Sequence, residues 1–472
     1  MSRGTRIWKR VGTKFLPFAD AATTELPLPR LLRLSLFQVS VGLAMVLLNA
    51  TLNRVMIVEL KISATVVAIL VALPLLFAPL RALIGHKSDH HRSFLGWKRV
   101  PYLWFGTLLQ FSGLAIMPFA LLVMTGEGAS GRTQPGEIGG ALAFLFVGAG
   151  VAMTQTAGLA LANDLAPASV RPRVVSLLYV MLLVGMLLSS LVLGRLLVDF
   201  TPTQLIEVIQ ATAVVTVILN VIALWKQEVR IPGGNRDTEA PPEFRSTWAD
   251  FTAAPNTRRL LVAVGLGGAG FGMQDILLEP YGGQVLGLSV GATTALTALS
   301  SWGTLMGLAI AASKLARGSD PARLAGLGAL SGIMAFALVI MSAPLHSVAL
   351  FCLGAAGIGF GAGLFAVCTL TAAMSLADEF QSGLALGAWG AVQASATGIG
   401  ILVSGGIRDG IGALAVAGAF GPGLADPATG YSIVWHIEIV LLFASLIALG
   451  PLARRSSAPY HGARFGLTEF PT

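Results

Sequence analysis

Two carboxylates stand one helical turn apart in an apolar stretch of the chain: Asp275 and Glu279, in the segment GFGMQDILLEPYGGQ from Gly270 to Gln284. At positions i and i+4 they share one face of a helix. A carboxylate in the middle of a membrane costs about 2.5–3.5 kcal/mol even on the lenient insertion scale, so it is usually kept for a task. One task is to exchange a proton as a solute binds; another is to line a polar site for a ligand or partner. The plainer alternative has Asp275 bonded to a neighbouring helix and Glu279 at the interface. Gln274 adjoins the pair, and Pro280 is expected to end the helix. A second polar set, QTAGLALANDLAPASVRPR, carries Gln155 and Asn163, with Asp164 expected to cap the helix or pair with Arg171 or Arg173. A third holds His436 and Glu438 beside Tyr431 and Trp435, and is expected to face lipid or a partner.

The elements that position these groups follow from composition. Of 472 residues 55% are hydrophobic and only 11% charged, and the mean hydropathy is +0.78. These values describe an all-α integral membrane protein. Runs long enough to cross a bilayer as helices lie near 34–58, 62–80, 100–124, 138–162, 174–197, 205–225, 260–280, 290–313, 324–343, 348–372, 384–404 and 431–450. The chain then divides into a basic amphipathic segment 1–33, a six-helix bundle 34–225, a Pro- and Gly-bearing linker 226–259, a second six-helix bundle 260–450 and a tail 451–472. Residues 1–33 interleave Arg3, Arg6, Lys9, Arg10 and Lys14 with apolar and aromatic residues, as an interfacial segment does. Lys and Arg concentrate in that segment, the even-numbered connections and the tail, which places both termini in the cytoplasm. The net charge of +8 is therefore a topology signal and an attraction to anionic lipid, and no nucleic-acid partner is expected. Cys352 and Cys368 have no metal-ligand spacing, and no nucleotide-binding loop or catalytic constellation occurs, so neither a metal site nor an enzyme is expected.

The halves echo each other. The connection RALIGHKSDHHRSFLGWKR contains Gly85, Asp89, Arg92, Lys98 and Arg99, and the corresponding one in the second half contains Arg317, Gly318, Ser319 and Asp320. Asn163-Asp164 and Asp378-Glu379 occupy matching helix ends. A duplicated six-helix unit is expected. The first connection resembles the major facilitator superfamily loop in which an acid and basic residues latch helix ends, and it departs from that pattern after Asp89. Twelve helices in two six-helix halves, with the first, fourth, seventh and tenth lining a central cavity, are expected on that resemblance. Glycines cluster in the seventh and tenth spans, and are expected to serve close helix packing.

The blocks RALIGHKSDHHRSFLGWKRVPYLWFGTLLQ, QTAGLALANDLAP with VRPRVVSLLYVMLLVGM, GFGMQDILLEPYGGQVLGLS and LADEFQSGLALGAWGAVQA together resemble the bacteriochlorophyll-delivery (PucC/LhaA) branch of that superfamily. The resemblance implies assembly of light-harvesting antenna in a bacterial inner or intracytoplasmic photosynthetic membrane. On it the protein would supply or handle bacteriochlorophyll and shepherd the antenna α and β polypeptides, with the core antenna around the reaction centre favoured as client. Implied partners are the reaction centre complex, the pigment or a pigment-synthesis enzyme, and the lipid membrane; carotenoid and quinone are left open. A magnesium chlorin needs one axial oxygen or imidazole, and the cavity candidates are Gln155, Asn163, Gln274, Asp275 and Glu279, with His436 as the peripheral option. The competing function is a proton-coupled secondary transporter using Asp275 and Glu279.

Overall fold

A computed structural model describes residues 26–76, 97, 99–125, 134–167, 171–228, 254–376 and 382–455. Residues 1–25 of the basic N-terminal segment, Gly85, Asp89, Arg92, Lys98, residues 229–253, Asp378, Glu379 and the end of the tail lie outside them; residues 28–33 of that segment are helical. Among the described residues there are twelve helices. The first half contains α1 (Leu28–Glu59), α2 (Ala64–Leu76), α3 (Val100–Thr125), α4 (Gln134–Leu165), α5 (Arg171–Leu196) and α6 (Pro202–Leu224). The second contains α7 (Pro255–Gln284), α8 (Val290–Ala316), α9 (Pro321–Ser342), α10 (Val348–Leu376), α11 (Ser382–Val416) and α12 (Ala428–Arg455). Eleven are long and apolar enough to cross a membrane; α2 is the shorter one over its described residues. The protein is a multi-pass membrane protein.

Local chemistry sets where the helices start. Thr201 caps α6 by accepting from the Gln204 amide, Ser289 caps α8 from Ala292, and Asp320 caps α9 from Ala322 at 2.9 Å. Each side-chain oxygen satisfies an amide that the first turn leaves without an intrahelical partner. Pro202 and Pro321 follow directly, where no amide is needed. Gly318, at φ +81°, makes the tight turn from α8 into α9. Asp320 thus acts as a helix cap in the connection that echoes the first-half loop. Several helices outrun the expected spans, most clearly α11, which at 35 residues is about 52 Å long. Hydropathy marks only the part of a helix that hydrocarbon covers.

Within the first half α3 packs on α4, and α1 on α5 and α6; within the second α9 packs on α10, and α7 on α11 and α12. The halves meet through α5 on α8 and α2 on α11. Small residues allow each approach. A Cβ at Gly359 would collide with the Ser300 carbonyl of α8, one at Gly267 with the Phe365 ring of α10, and one at Gly194 would sit 2.8 Å from the Gly291 carbonyl. Close backbone approach is what small residues give membrane helices, so the glycines of the seventh and tenth spans serve packing.

Candidate functional site

Both α1 and α7 lose regular α-helical geometry where they face each other. α1 passes into π-helical turns at Leu47–Leu52 and Val55–Glu59. α7 tightens to a 3-10 turn at Met273–Ile276 and resumes as α-helix at Leu278–Gln284. The two irregular stretches touch. Such turns expose backbone groups that a regular helix would consume, and they recur at functional positions. Pro280 does not end the helix as expected. It lies in the first turn of the resumed segment, where its missing amide costs nothing, and the helix continues to Gln284.

The break separates Asp275 from Glu279 in local geometry but keeps them on one cavity. Asp275 Oδ1 accepts from Gln274 Nε2 at 2.6 Å, and the Asp275 backbone carbonyl accepts from Asn53 Nδ2 of α1 at 3.0 Å. Asn53 also donates to the Asn49 carbonyl. Glu279 is 6% exposed; its Oε1 accepts from Thr297 Oγ1 of α8 at 2.9 Å, and its Oε2 makes no hydrogen bond of ordinary geometry among the described residues, with the Asn53 side chain close to the carboxylate. Just beyond, the buried Arg54 guanidinium holds Glu59 at 2.6 Å and donates to the Leu288 carbonyl at 3.1 Å, while the Thr51 and Thr294 hydroxyls approach to 3.4 Å. Hydrogen bonds from α1 to α7 and α8 therefore tie the two halves together around the acids.

Two cavities meet at this point. One, of about 280 Å³, lies among α7, α8, α10 and α11, with Phe271, Phe365, Gln393 and Thr397 on its walls. The other, of about 180 Å³, lies between the halves, with Asn49, Met186, Glu279 and Thr297 on its walls. Gln274, Asp275, Ser300 and Thr304 line both. No Lys, Arg or His is among the described residues lining either cavity. The space is furnished with carboxylates, amides and hydroxyls against apolar walls, which suits a small neutral or cationic guest and disfavours an anion.

The other sequence candidates lie elsewhere. Gln155 and Asn163 are half-buried on α4, and neither lines these cavities. Asp164 forms an ion pair with the buried Arg99 at 2.9 Å, while the side chains of the expected partners Arg171 and Arg173 lie outside the described residues. Arg99 is thus the described member of the loop that latches helix ends, and its own amide is capped by Glu228 at the end of the first half. The expected peripheral pair of His436 and Glu438 does not exist. Two positions on a helix stand about 200° apart around its axis, so the side chains diverge: His436 is exposed, with Nδ1 at 2.7 Å from the Ser432 carbonyl, whereas Glu438 is 0% exposed. Glu438 lies against the Gln274 backbone near Asp275, and neither of its oxygens makes a hydrogen bond of ordinary geometry among the described residues.

Sequence reading therefore missed Asn53, Arg54 and Glu438 as companions of Asp275. A signal for the first two was present. Asn49 and Asn53 repeat on α1 the i, i+4 spacing of Asp275 and Glu279 on α7, the corresponding helix of the other half, and Arg54 falls inside an expected span.

Residues 51–457 match the family described as PUCC protein. The chain is 52% identical over 464 residues, covering 97% of both chains, to an uncharacterized protein in the puhA-bchM intergenic region of Rhodobacter capsulatus. It is 58% identical to Protein PucC of Rhodovulum sulfidophilum, over 85% of this chain and 89% of that one. Among solved structures it is similar to a bacterial homologue of the human lysosomal transporter Spinster in an inward-facing, unoccupied conformation, with a TM-score of 0.67, 18% identity, and 92% and 98% of the two chains covered. A POT family transporter superposes with a TM-score of 0.68 at 13% identity, over 90% of this chain and 96% of that one. At such identities the likeness shows the fold alone, and that fold is the one expected from the paired halves.

Proposed function

The chain belongs to the PUCC protein family, and from that premise we propose that it is an assembly factor for photosynthetic light-harvesting antenna. The observation that carries the reading is the similarity along nearly the whole chain, at half identity or more, to relatives that include a Protein PucC. On this reading the protein sits in a bacterial inner or intracytoplasmic photosynthetic membrane with both termini in the cytoplasm. Its clients are the antenna α and β polypeptides, and the core antenna around the reaction centre is the preferred one. Single-span polypeptides meet such a protein through its lipid-facing helix surfaces, where van der Waals packing and small residues drive association. No catalysis is proposed.

Bacteriochlorophyll belongs to this proposal as cargo, and the central cavities do not suit it. Gln274 and Asp275 supply oxygen donors for an axial position. The cavities of about 280 and 180 Å³ meet at these residues, and even joined they lie in the lower part of the roughly 300–1,000 Å³ range of pockets for drug-sized ligands, which a magnesium chlorin with its tail exceeds in size. Neither takes a macrocycle with a long tail. The acids of α7 are accordingly assigned to the polar junction between the halves and to a small guest, and the pigment to the outer surface.

A second reading, a proton-coupled secondary transporter, is favoured by one observation: a buried carboxylate, Glu279, whose Oε2 makes no hydrogen bond of ordinary geometry among the described residues, on a cavity between the two halves. Purification separates the two. The assembly factor comes out of photosynthetic membranes with near-infrared absorbance and with small single-span polypeptides attached. A colourless protein that takes protons into vesicles when a solute is added, and carries no antenna polypeptide, refutes it.

A further inference from the structure

Along α12 the residues Ile433, His436, Val440, Phe443 and Ile447 are all exposed, at successive spacings of three and four. They form one stripe on the outer face of the bundle. Four are apolar, as a lipid-facing stripe requires, and one is an imidazole. His436 lies about 12 Å along the axis from the start of α12. For a span of 26 residues centred on a hydrocarbon layer of about 30 Å the overhang is only a few ångströms at each end, which puts this position within the layer.

One hydrogen bond orients that imidazole. Its one polar contact among the described residues runs from Nδ1 to the Ser432 carbonyl, 2.7 Å away. A carbonyl oxygen only accepts, so Nδ1 carries the hydrogen, and in the neutral ring Nε2 keeps its lone pair. A ligating histidine is commonly set up in this way, its second nitrogen donating to a backbone carbonyl and fixing tautomer and ring orientation. Here Nε2 is left for a guest arriving from the membrane. Imidazole is a good axial donor to a metal held in a flat macrocycle, and the apolar residues one turn before and one to three turns after it provide a surface for the ring and its tail.

We propose that the outer face of α12 is a docking site for a magnesium chlorin, with His436 Nε2 as the axial ligand and the stripe from Ile433 to Phe443 as its seat. The inference rests on the assembly reading, and deepens it by moving the pigment from the central cavities to the lipid-facing surface. Handing a pigment to a single-span helix then needs no passage through the protein, since donor and recipient share the same hydrocarbon layer.

The test uses the full-length chain in lipid nanodiscs, titrated with bacteriochlorophyll a and, in parallel, with bacteriopheophytin a, which lacks the metal. Binding is followed by near-infrared absorbance and circular dichroism, and magnesium coordination by resonance Raman. Wild-type protein should bind bacteriochlorophyll a saturably with a five-coordinate magnesium. His436→Ala and the bulk-keeping His436→Phe should each weaken it by ~10-fold or more, the low end of what perturbing a metal-ligand shell does. Bacteriopheophytin a should bind more weakly, and equally to all three proteins. If wild-type protein binds the magnesium pigment and both variants bind it as tightly, the His436 site is wrong and the assembly reading stands. If the wild-type chain binds no magnesium pigment, the site is overturned, and antenna polypeptides missing from the purified protein would overturn the assembly reading separately.

Discussion

Glu438 shows how much one rotation about a helix axis decides. It is fully buried between α12 and the break in α7, with no hydrogen bond of ordinary geometry to either oxygen among the described residues. Leaving a buried polar group unsatisfied costs about 1–3 kcal/mol, and an apolar residue of similar volume removes that cost. Glu438→Leu should therefore raise the melting temperature of the detergent-solubilised protein; a lower value would mean that the carboxylate has a bonded role at this contact. Asp275 and Glu279 were legible in the sequence as residues with a task, because charge in an apolar run is visible by type alone. The direction in which Glu438 points was not, since a span apolar nearly all round gives no moment from which to read its inner face. The same divergence that buries Glu438 leaves His436 exposed on the outer face of α12.

At the scale of elements, the number and order of the helices follow from hydropathy, while their breaks do not. A π-helical turn at Leu47–Leu52 or a 3-10 turn at Met273–Ile276 shifts the backbone by a fraction of a turn and leaves the apolar run intact. What fixes those turns is the partner across the interface, as in the bond from Asn53 to the Asp275 carbonyl. Glycine tells a related story, because its position in sequence does not say which neighbour it meets. Gly359 abuts the Ser300 carbonyl, whereas a Cβ at Gly406 on α11 would meet nothing within 4 Å. Overpacking costs about 1–3 kcal/mol, and replacing an exposed helical glycine by alanine gains about 0.5–1 kcal/mol. Gly359→Ala should thus lower the melting temperature and Gly406→Ala should hold or raise it. Equal losses from both substitutions would remove the close α8–α10 approach as the explanation.

At the scale of the whole molecule, the described contacts between the halves gather at the end opposite the termini. There Gly194 of α5 meets Gly291 of α8, Asp409 of α11 accepts from the Thr65 amide and hydroxyl of α2 at 2.7 and 2.8 Å, and Arg54 reaches Leu288. Asp409→Ala removes both Thr65 bonds to the carboxylate, and spin labels on α2 and α11 beside them should then report a broader and longer distance distribution; an unchanged distribution would show that the remaining contacts between the halves hold this end together without them. The paired halves were readable from sequence echoes, but the side on which they close was not, because each half alone is indifferent to it. The proposed role in antenna assembly is tested most directly by the near-infrared absorbance of membranes from cells lacking this chain. The account predicts a loss of core-antenna absorbance relative to the reaction centre, restored by the wild-type chain. Unchanged antenna bands together with a lost solute uptake would contradict it.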